Sequence, residues 1–242
     1  MPTWVITGAN RGLGLEFVRQ LVASKEDNTV LALVRSLSKT DLSGLNAIKN
    51  DNVHIHECET SDEASITAFA ESLKTSSSHP QINFLINNAA INAVSQKTAL
   101  TLTGPEMHNH LDVNVLGPAL LIQKLMPLLA PGAVILNMTS GLGSFGRALF
   151  GGATVYSASK AMLNMVSVHL AVEKAVVEKK IRVLIMDPGH VKTDMGGPRA
   201  VLEQEESIGG MLKVILEEAE GKGKGDVGKA VFRQYDGKVV PW

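Results

Sequence analysis

The chain has 242 residues, 45% of them hydrophobic and 19% charged, and its 23 basic and 24 acidic side chains leave a formal net charge of −1. A chain of this size buries enough apolar surface to fold as one α/β unit without disulfide or metal staples, and its near-neutral balance lacks the basic footprint of a nucleic-acid binder. Cys58 is the sole cysteine, so no internal disulfide is expected, which fits a reducing, cytoplasmic setting; residues 1–7 lack a basic leader, and the best apolar stretch, 116–138, is broken by Gln123, Lys124 and three prolines, which argues against a membrane span.

Short apolar or β-branched runs predict strands at 4–7, 30–34, 53–57, 83–86, 134–138, 182–186 and 230–235. Most are continuously apolar, the pattern of strands covered on both faces of a parallel sheet. Val53-His54-Ile55-His56 alternates and belongs nearer an edge. Helical spacing fills the gaps. Gly14, Phe17, Val18, Leu21 and Val22 recur at i, i+3 and i+4, as do Ile66, Phe69 and Leu73 after a capping box formed by Thr60 and Glu63. Residues 156–177 are apolar almost all round, including Met162, Met165, Val166 and Leu170. They predict a single helix buried on two sides, against the sheet and against a second subunit, and so a homodimer or homotetramer. Residues 195–224, rich in glycine and acids around a short amphipathic helix, are expected to be an inserted substrate lid. Strand and helix alternate along 1–242, which predicts one doubly wound, parallel α/β sheet of about seven strands with helices on both faces.

Between the first strand and first helix lies Thr7-Gly8-Ala9-Asn10-Arg11-Gly12-Leu13-Gly14. Gly8 permits a tight turn, Gly12 lets backbone approach a pyrophosphate, and Gly14 lets helix pack on strand. The helix start then offers free N–H groups to phosphates. The Gly-x3-Gly-x-Gly spacing departs from the usual G-x-G-x-x-G, but its place directly after the first strand points to dinucleotide binding. Arg35 ends the second strand, where an acid would select the ribose of NAD. A guanidinium attracts a 2′-phosphate instead, with Arg11 as a second cation, so NADP is favoured over NAD.

Tyr156 and Lys160 stand at i, i+4 on one helix face. Carbonyl reduction needs a proton donor, and a fixed ammonium one turn away lowers a phenol toward useful acidity. Ser140 follows the fifth strand, at the strand end where doubly wound sheets bind ligands. Asn114 falls inside a helical pattern that asparagine disfavours, so it is expected to kink the helix and hold a water. Asn87-Asn88-Ala89-Ala90 ends the fourth strand with small side chains that let a cofactor lie close.

Thr7-Gly-x3-Gly-x-Gly14, Asn87-Asn88-Ala89, Asn114, Ser140, Tyr156-x3-Lys160 and Asp187-Pro188-Gly189, in this order and spacing, resemble the short-chain dehydrogenase/reductase family over the whole chain. The glycine loop, 188–197 and 235–242 resemble in particular the sniffer-type and C-factor-type carbonyl reductases. The resemblance implies a Rossmann-type fold and an NADPH-dependent reduction of a ketone, aldehyde or quinone, reversible as alcohol oxidation. It implies Tyr156 as acid/base, Lys160 as its charge support and ribose ligand, Ser140 on the substrate oxygen, and Asn114 in a proton relay. Val191 and Thr193 would hold the carboxamide, Glu59 and Thr60 the adenine, and Asn88 the adjacent ribose. Three positions depart from the pattern: Ala90 replaces a common glycine, Glu59 stands where Asp is usual, and the Ser140–Tyr156 interval is long near 147–154. A non-catalytic NADP-binding sensor on the same fold is the alternative; it has no need of all four catalytic positions.

Overall fold

The computed structural model describes residues 1–24, 27–75, 81–147, 151–223 and 225–242. Seven parallel strands form one sheet: β1 (Thr3–Thr7), β2 (Thr29–Val34), β3 (Val53–Glu57), β4 (Ile82–Asn87), β5 (Leu129–Met138), β6 (Arg182–Asp187) and β7 (Val231–Gln234), in the order β3-β2-β1-β4-β5-β6-β7. The registers pair Val5 with Leu31 and Ile135 with Val183. β3 is an edge strand, as its alternating pattern predicts. The order reverses between β1 and β4, which opens a crevice at their carboxyl ends.

Alternate strand residues feed two apolar layers. On one face, Trp4, Ile6, Phe84 and Leu136 pack against Phe17, Val18 and Leu21 of α1 (Gly12–Ala23). On the other, Val5, Leu31, Leu85 and Ile135 pack against α3 (Glu63–Thr75), through Ile66 and Phe69, and α5 (Gly117–Leu125), through Leu121 and Ile122. A short α2 (Ser43–Ile48) follows β2, and α4 (Gly104–Leu111) runs into α5 through a π-helical turn, Asp112–Leu116. Cys58, just after β3, is buried, and its amide donates to the Val34 carbonyl at 2.8 Å. Burial pushes its thiol up to about 12.

Three features differ from the sequence expectation. The start of α3 is capped by Asp62, whose Oδ1 accepts from the Ala64 amide at 2.9 Å, while Thr60 is buried. Asp62 lies one residue before the first helical turn, the position whose side chain can reach its free N–H groups. A capping box does form elsewhere, between Thr103 and Glu106 at the start of α4. The helix expected over 156–177 is divided into α6 (Thr154–Val172) and α7 (Lys174–Glu178), because Glu173 takes an extended ψ of 134°. The span 195–224 is largely regular. α8 (Gln204–Ala219) occupies most of it and sinks Ile208, Met211 and Ile215 fully into the α1 layer. Glu218 of α8 also pairs with the buried Arg233 of β7 at 3.4 Å. Residues 148–150 and Lys224, singled out in the sequence, lie outside the described residues.

Candidate active site

The glycine loop is shaped by contacts that exclude side chains. Gly8 and Gly12 have φ of 64° and 54°, and a Cβ on Gly14 would stand 2.2 Å from the Gly8 carbonyl oxygen. Larger residues there would strain the turn or push α1 off the strand. Arg11 precedes α1 without a side-chain cap, which leaves first-turn N–H groups for a ligand. Leu13 turns its side chain to the core, and Asn10 is half-buried. Across the crevice, Asn88 ties β4 to the loop: its Nδ2 donates to the Thr7 carbonyl at 2.8 Å. The Thr7 hydroxyl oxygen accepts from both the Asn88 and Ala89 amides at 2.9 Å. The segment after β6 lies over the opposite side. Thr193 Cγ2 would be 3.6 Å from a Cβ on Gly12, and Asp194 pairs with Arg11 at 2.9 Å. Val191 is buried and bridges to Leu202. The residues present thus form a cradle that fits a dinucleotide: glycine-lined, with uncapped amides at one end.

Both arginines expected to meet a 2′-phosphate have acid partners. Arg35 Nε lies 3.2 Å from Glu59, and Arg11 meets Asp194. Both arginines are exposed, so these pairs are weak and exchangeable. Glu59 also accepts from the Ser61 amide and hydroxyl. Thr60 presents its backbone to Gly117, where a Cβ would come 2.5 Å from the Thr60 carbonyl oxygen.

Ser140, Tyr156 and Lys160 converge at the ends of β5 and β6. Ser140 caps a 3-10 turn, Gly141–Gly143, accepting from the Leu142 amide at 3.2 Å. Lys160 is fully buried; its Nζ donates to the Met138 carbonyl at 2.8 Å and sits 5.6 Å from the Tyr156 ring centroid. Burial raises the Tyr156 phenol above its ordinary value, the Asp187 carboxylate raises it further, and the Ser140 hydrogen bond opposes them. Burial lowers the Lys160 ammonium to about 7.

Asn114 is fully buried inside the π turn, where the sequence expected a kink. π turns are rare and concentrate at functional sites. Its Oδ1 accepts from the Ile91 amide at 2.8 Å, and its Nδ2 donates to the Ile91 carbonyl at 3.0 Å and to Ser159 Oγ at 2.9 Å. The side chain therefore fastens the segment after β4 to α6.

Arg147 and Asp187 were missed as a pair by the sequence reading. Arg147 Nη1 meets Asp187 Oδ2 at 2.9 Å, and its Nη2 donates to Gln234 Oε1 at 3.0 Å. A signal did exist in Asp187, a carboxylate that follows the apolar run 183–186 at the end of β6. Its partner lies 40 residues away.

Residues 2–203 match the family model described as short chain dehydrogenase. The chain is similar to an NADPH-bound carbonyl reductase from chicken fatty liver, at 33% identity and a TM-score of 0.88, covering 100% of this chain and 99% of that one. It is similar to the carbonyl reductase Sniffer of D. melanogaster, at 28% identity and a TM-score of 0.87 over 100% of both chains. It also resembles the C-signal protein of Myxococcus xanthus, 34% identical over 66% of this chain and 93% of that protein.

Replacing Asn114 with Ala removes the acceptor of the half-buried Ile91 amide. The variant is expected to lose about 1–3 kcal/mol in urea unfolding and to exchange the Ile91 amide hydrogen faster. Unchanged stability and exchange would show that the segment holds without Asn114.

Proposed function

The chain belongs to the short-chain dehydrogenase family, and from that premise we propose that it is an NADPH-dependent reductase of ketone, aldehyde or quinone carbonyls, reversible as an alcohol dehydrogenase. The observation that carries the reading is the convergence at the carboxyl end of β5 of the buried Tyr156, Lys160, whose Nζ lies 5.6 Å from that ring's centroid, and Ser140. A phenol held in its protonated form is a stored proton beside a hydroxyl that can orient a carbonyl oxygen.

NADPH, when bound, supplies the hydride. Gly8, Asn10, Arg11, Gly12, Leu13 and Gly14 would hold its pyrophosphate side, Arg35 its 2′-phosphate, Glu59, Thr60 and Asn88 its adenosine, and Val191 and Thr193 its carboxamide. Similarity to the NADPH-bound carbonyl reductase from chicken fatty liver supports the choice of cofactor. Ser140 receives the substrate oxygen, and Tyr156 Oη delivers its proton there as the carbonyl becomes an alcohol. Lys160 steadies the phenolate left behind and binds the ribose, and Asn114 anchors the backbone that carries the proton relay. The segments that follow Ser140 and Thr193 carry the exposed Phe145, Met195 and Val201, and an apolar rim of this kind favours apolar carbonyl compounds over charged metabolites.

A second copy of the chain would cover the exposed Met162, Met165 and Val172 on α6. Met165→Glu is expected to reduce the mass seen by light scattering to that of one chain; a parent that is already monomeric ends this part of the proposal.

Tyr156→Phe removes only the hydroxyl. It should cut NADPH-dependent carbonyl reduction by about 10²–10⁴ and leave NADPH affinity within about threefold. Activity within about threefold of the parent would sink the assignment of Tyr156 as donor.

Arg35→Asp should lower kcat/KM for NADPH about 10- to 150-fold and spare NADH, since a charge-assisted hydrogen bond is worth about 1.5–3 kcal/mol. Both cofactors must be compared at one ionic strength, because exposed charge contacts are screened. An unaltered NADPH-to-NADH ratio would make Arg35 a surface charge.

A further inference from the structure

The turn that carries Ser140 is held from two sides. Behind it, Asn164 of α6 donates to the Gly143 carbonyl at 3.1 Å, and a Cβ on Gly143 would stand 2.9 Å from the Lys160 carbonyl carbon. In front of it, Arg147 folds back over Gly141. A Cβ on Gly141 would come 2.0 Å from Arg147 Nη1 and 2.9 Å from Asp187 Oδ2. The ion pair therefore lies directly against the backbone of the residue next to Ser140. Gly141 and Gly143 are buried and bring no side chain of their own to anchor the turn.

Each member of the pair is tied to a different element. Asp187 Oδ2 accepts from Arg147 Nη1 at 2.9 Å, while its Oδ1 accepts from the Gly189 amide at 3.1 Å, at the start of the segment that leads to Val191 and Thr193. Arg147 Nη2 donates to Gln234 Oε1 of β7 at 3.0 Å. Just before Arg147, Ser144 Oγ donates to the Pro241 carbonyl at 2.5 Å and accepts from the Gly146 amide at 3.2 Å. The Asp187 side chain keeps 7% of its surface and that of Arg147 33%, so water screens this pair less than the exposed pairs at the rim of the cradle.

We propose that Arg147 and Asp187 together are positioning residues for Ser140. Their ion pair locks the Ser140 turn to the ends of β6 and β7. It thereby sets the spacing between the hydroxyl that receives the substrate oxygen and the segment that would hold the carboxamide of NADPH. The proposal rests on the reductase reading. Hydride transfer joins two reactants held by different strand ends, and a misplacement of about 1 Å between them can cost about 10² in rate. Both residues act through the turn, not on the reacting atoms.

Three variants break the lock in different ways. Arg147→Met removes the cation. Asp187→Asn keeps an acceptor for the Gly189 amide and leaves no carboxylate unpaired. Gly141→Ala drives the guanidinium off the turn with a methyl group. Each should lower kcat/KM for NADPH-dependent reduction of nitrobenzaldehyde about 10- to 100-fold, with NADPH affinity by fluorescence titration within about threefold of the parent. Each should also speed hydrogen exchange of the Leu142 amide, which donates to Ser140 Oγ. In a Ser140→Ala background, Arg147→Met and Asp187→Asn should cost less than about threefold more, because their effect passes through Ser140. A merely structural role would lower activity by the same factor in both backgrounds. Losses that multiply in this way, or folded variants with unchanged kcat/KM and unchanged Leu142 exchange, overturn the proposal. A parent that reduces no carbonyl compound with NADPH overturns the reductase reading itself, and the Leu142 exchange, measured without substrate, still reports on the lock alone.

Discussion

A Cβ on Gly14 would stand 2.2 Å from the Gly8 carbonyl oxygen. α1 therefore begins in contact with the strand end it follows, and its uncapped first turn opens at the crevice between β1 and β4. The surrounding pieces are arranged about that contact. Thr7 and Asn88 stitch the two strand ends together, and Thr193 lies against Gly12 from the far side. One extra methyl group at Gly14 would displace the helix whose amides the whole crevice serves. The tolerance of this site for cofactor geometry is set by packing before any charge is considered.

A second constraint is polar and buried. Asn87 donates to Asn137 Oδ1 at 2.8 Å, Asn137 donates to Ser167 Oγ at 2.8 Å, and Ser167 donates to the Leu163 carbonyl at 2.7 Å. This chain runs from β4 through β5 to α6. Asn164 donates to the Gly143 carbonyl at 3.1 Å, and Lys160 donates to Met138. α6 is thus fixed to the sheet by hydrogen bonds at successive turns along one side, while apolar contacts supply most of the energy. Apolar packing is non-directional; these bonds fix the helix rotation and so the direction in which Tyr156 points.

Much of this was legible in the residues. Apolar or β-branched runs marked all seven strands, and most are continuous because strands covered on both faces have no polar side to show. The glycine loop was legible because close approach demands glycine, and Ser140, Tyr156 and Lys160 could be placed from the strand end and the helix face that carry them. Boundaries and caps were less so. Thr60 and Glu63 carry the letters of a capping box, yet Asp62 takes the cap and Thr60 is buried beside Gly117. The break at Glu173 is a backbone torsion that its apolar neighbours do not announce. α8 was read as part of an insert because its glycines and acids mask a face of Ile208, Met211 and Ile215, which α1 and the sheet cover. The balance of forces on Tyr156 was also hidden. Lys160 is a neighbour in sequence, but Asp187 and Arg147 reach the site only through the fold.

Cys58 carries a further consequence. With its thiol pushed up to about 12, the reactive thiolate is a vanishing fraction of the population near neutral pH. Reactive carbonyls and quinones inactivate many proteins by adding to exposed thiolates. This chain has a single sulfhydryl, buried under the edge of its own sheet. A buried, un-ionised thiol is a poor target for alkylation and oxidation, so reagents that add to thiolates find little to attack here.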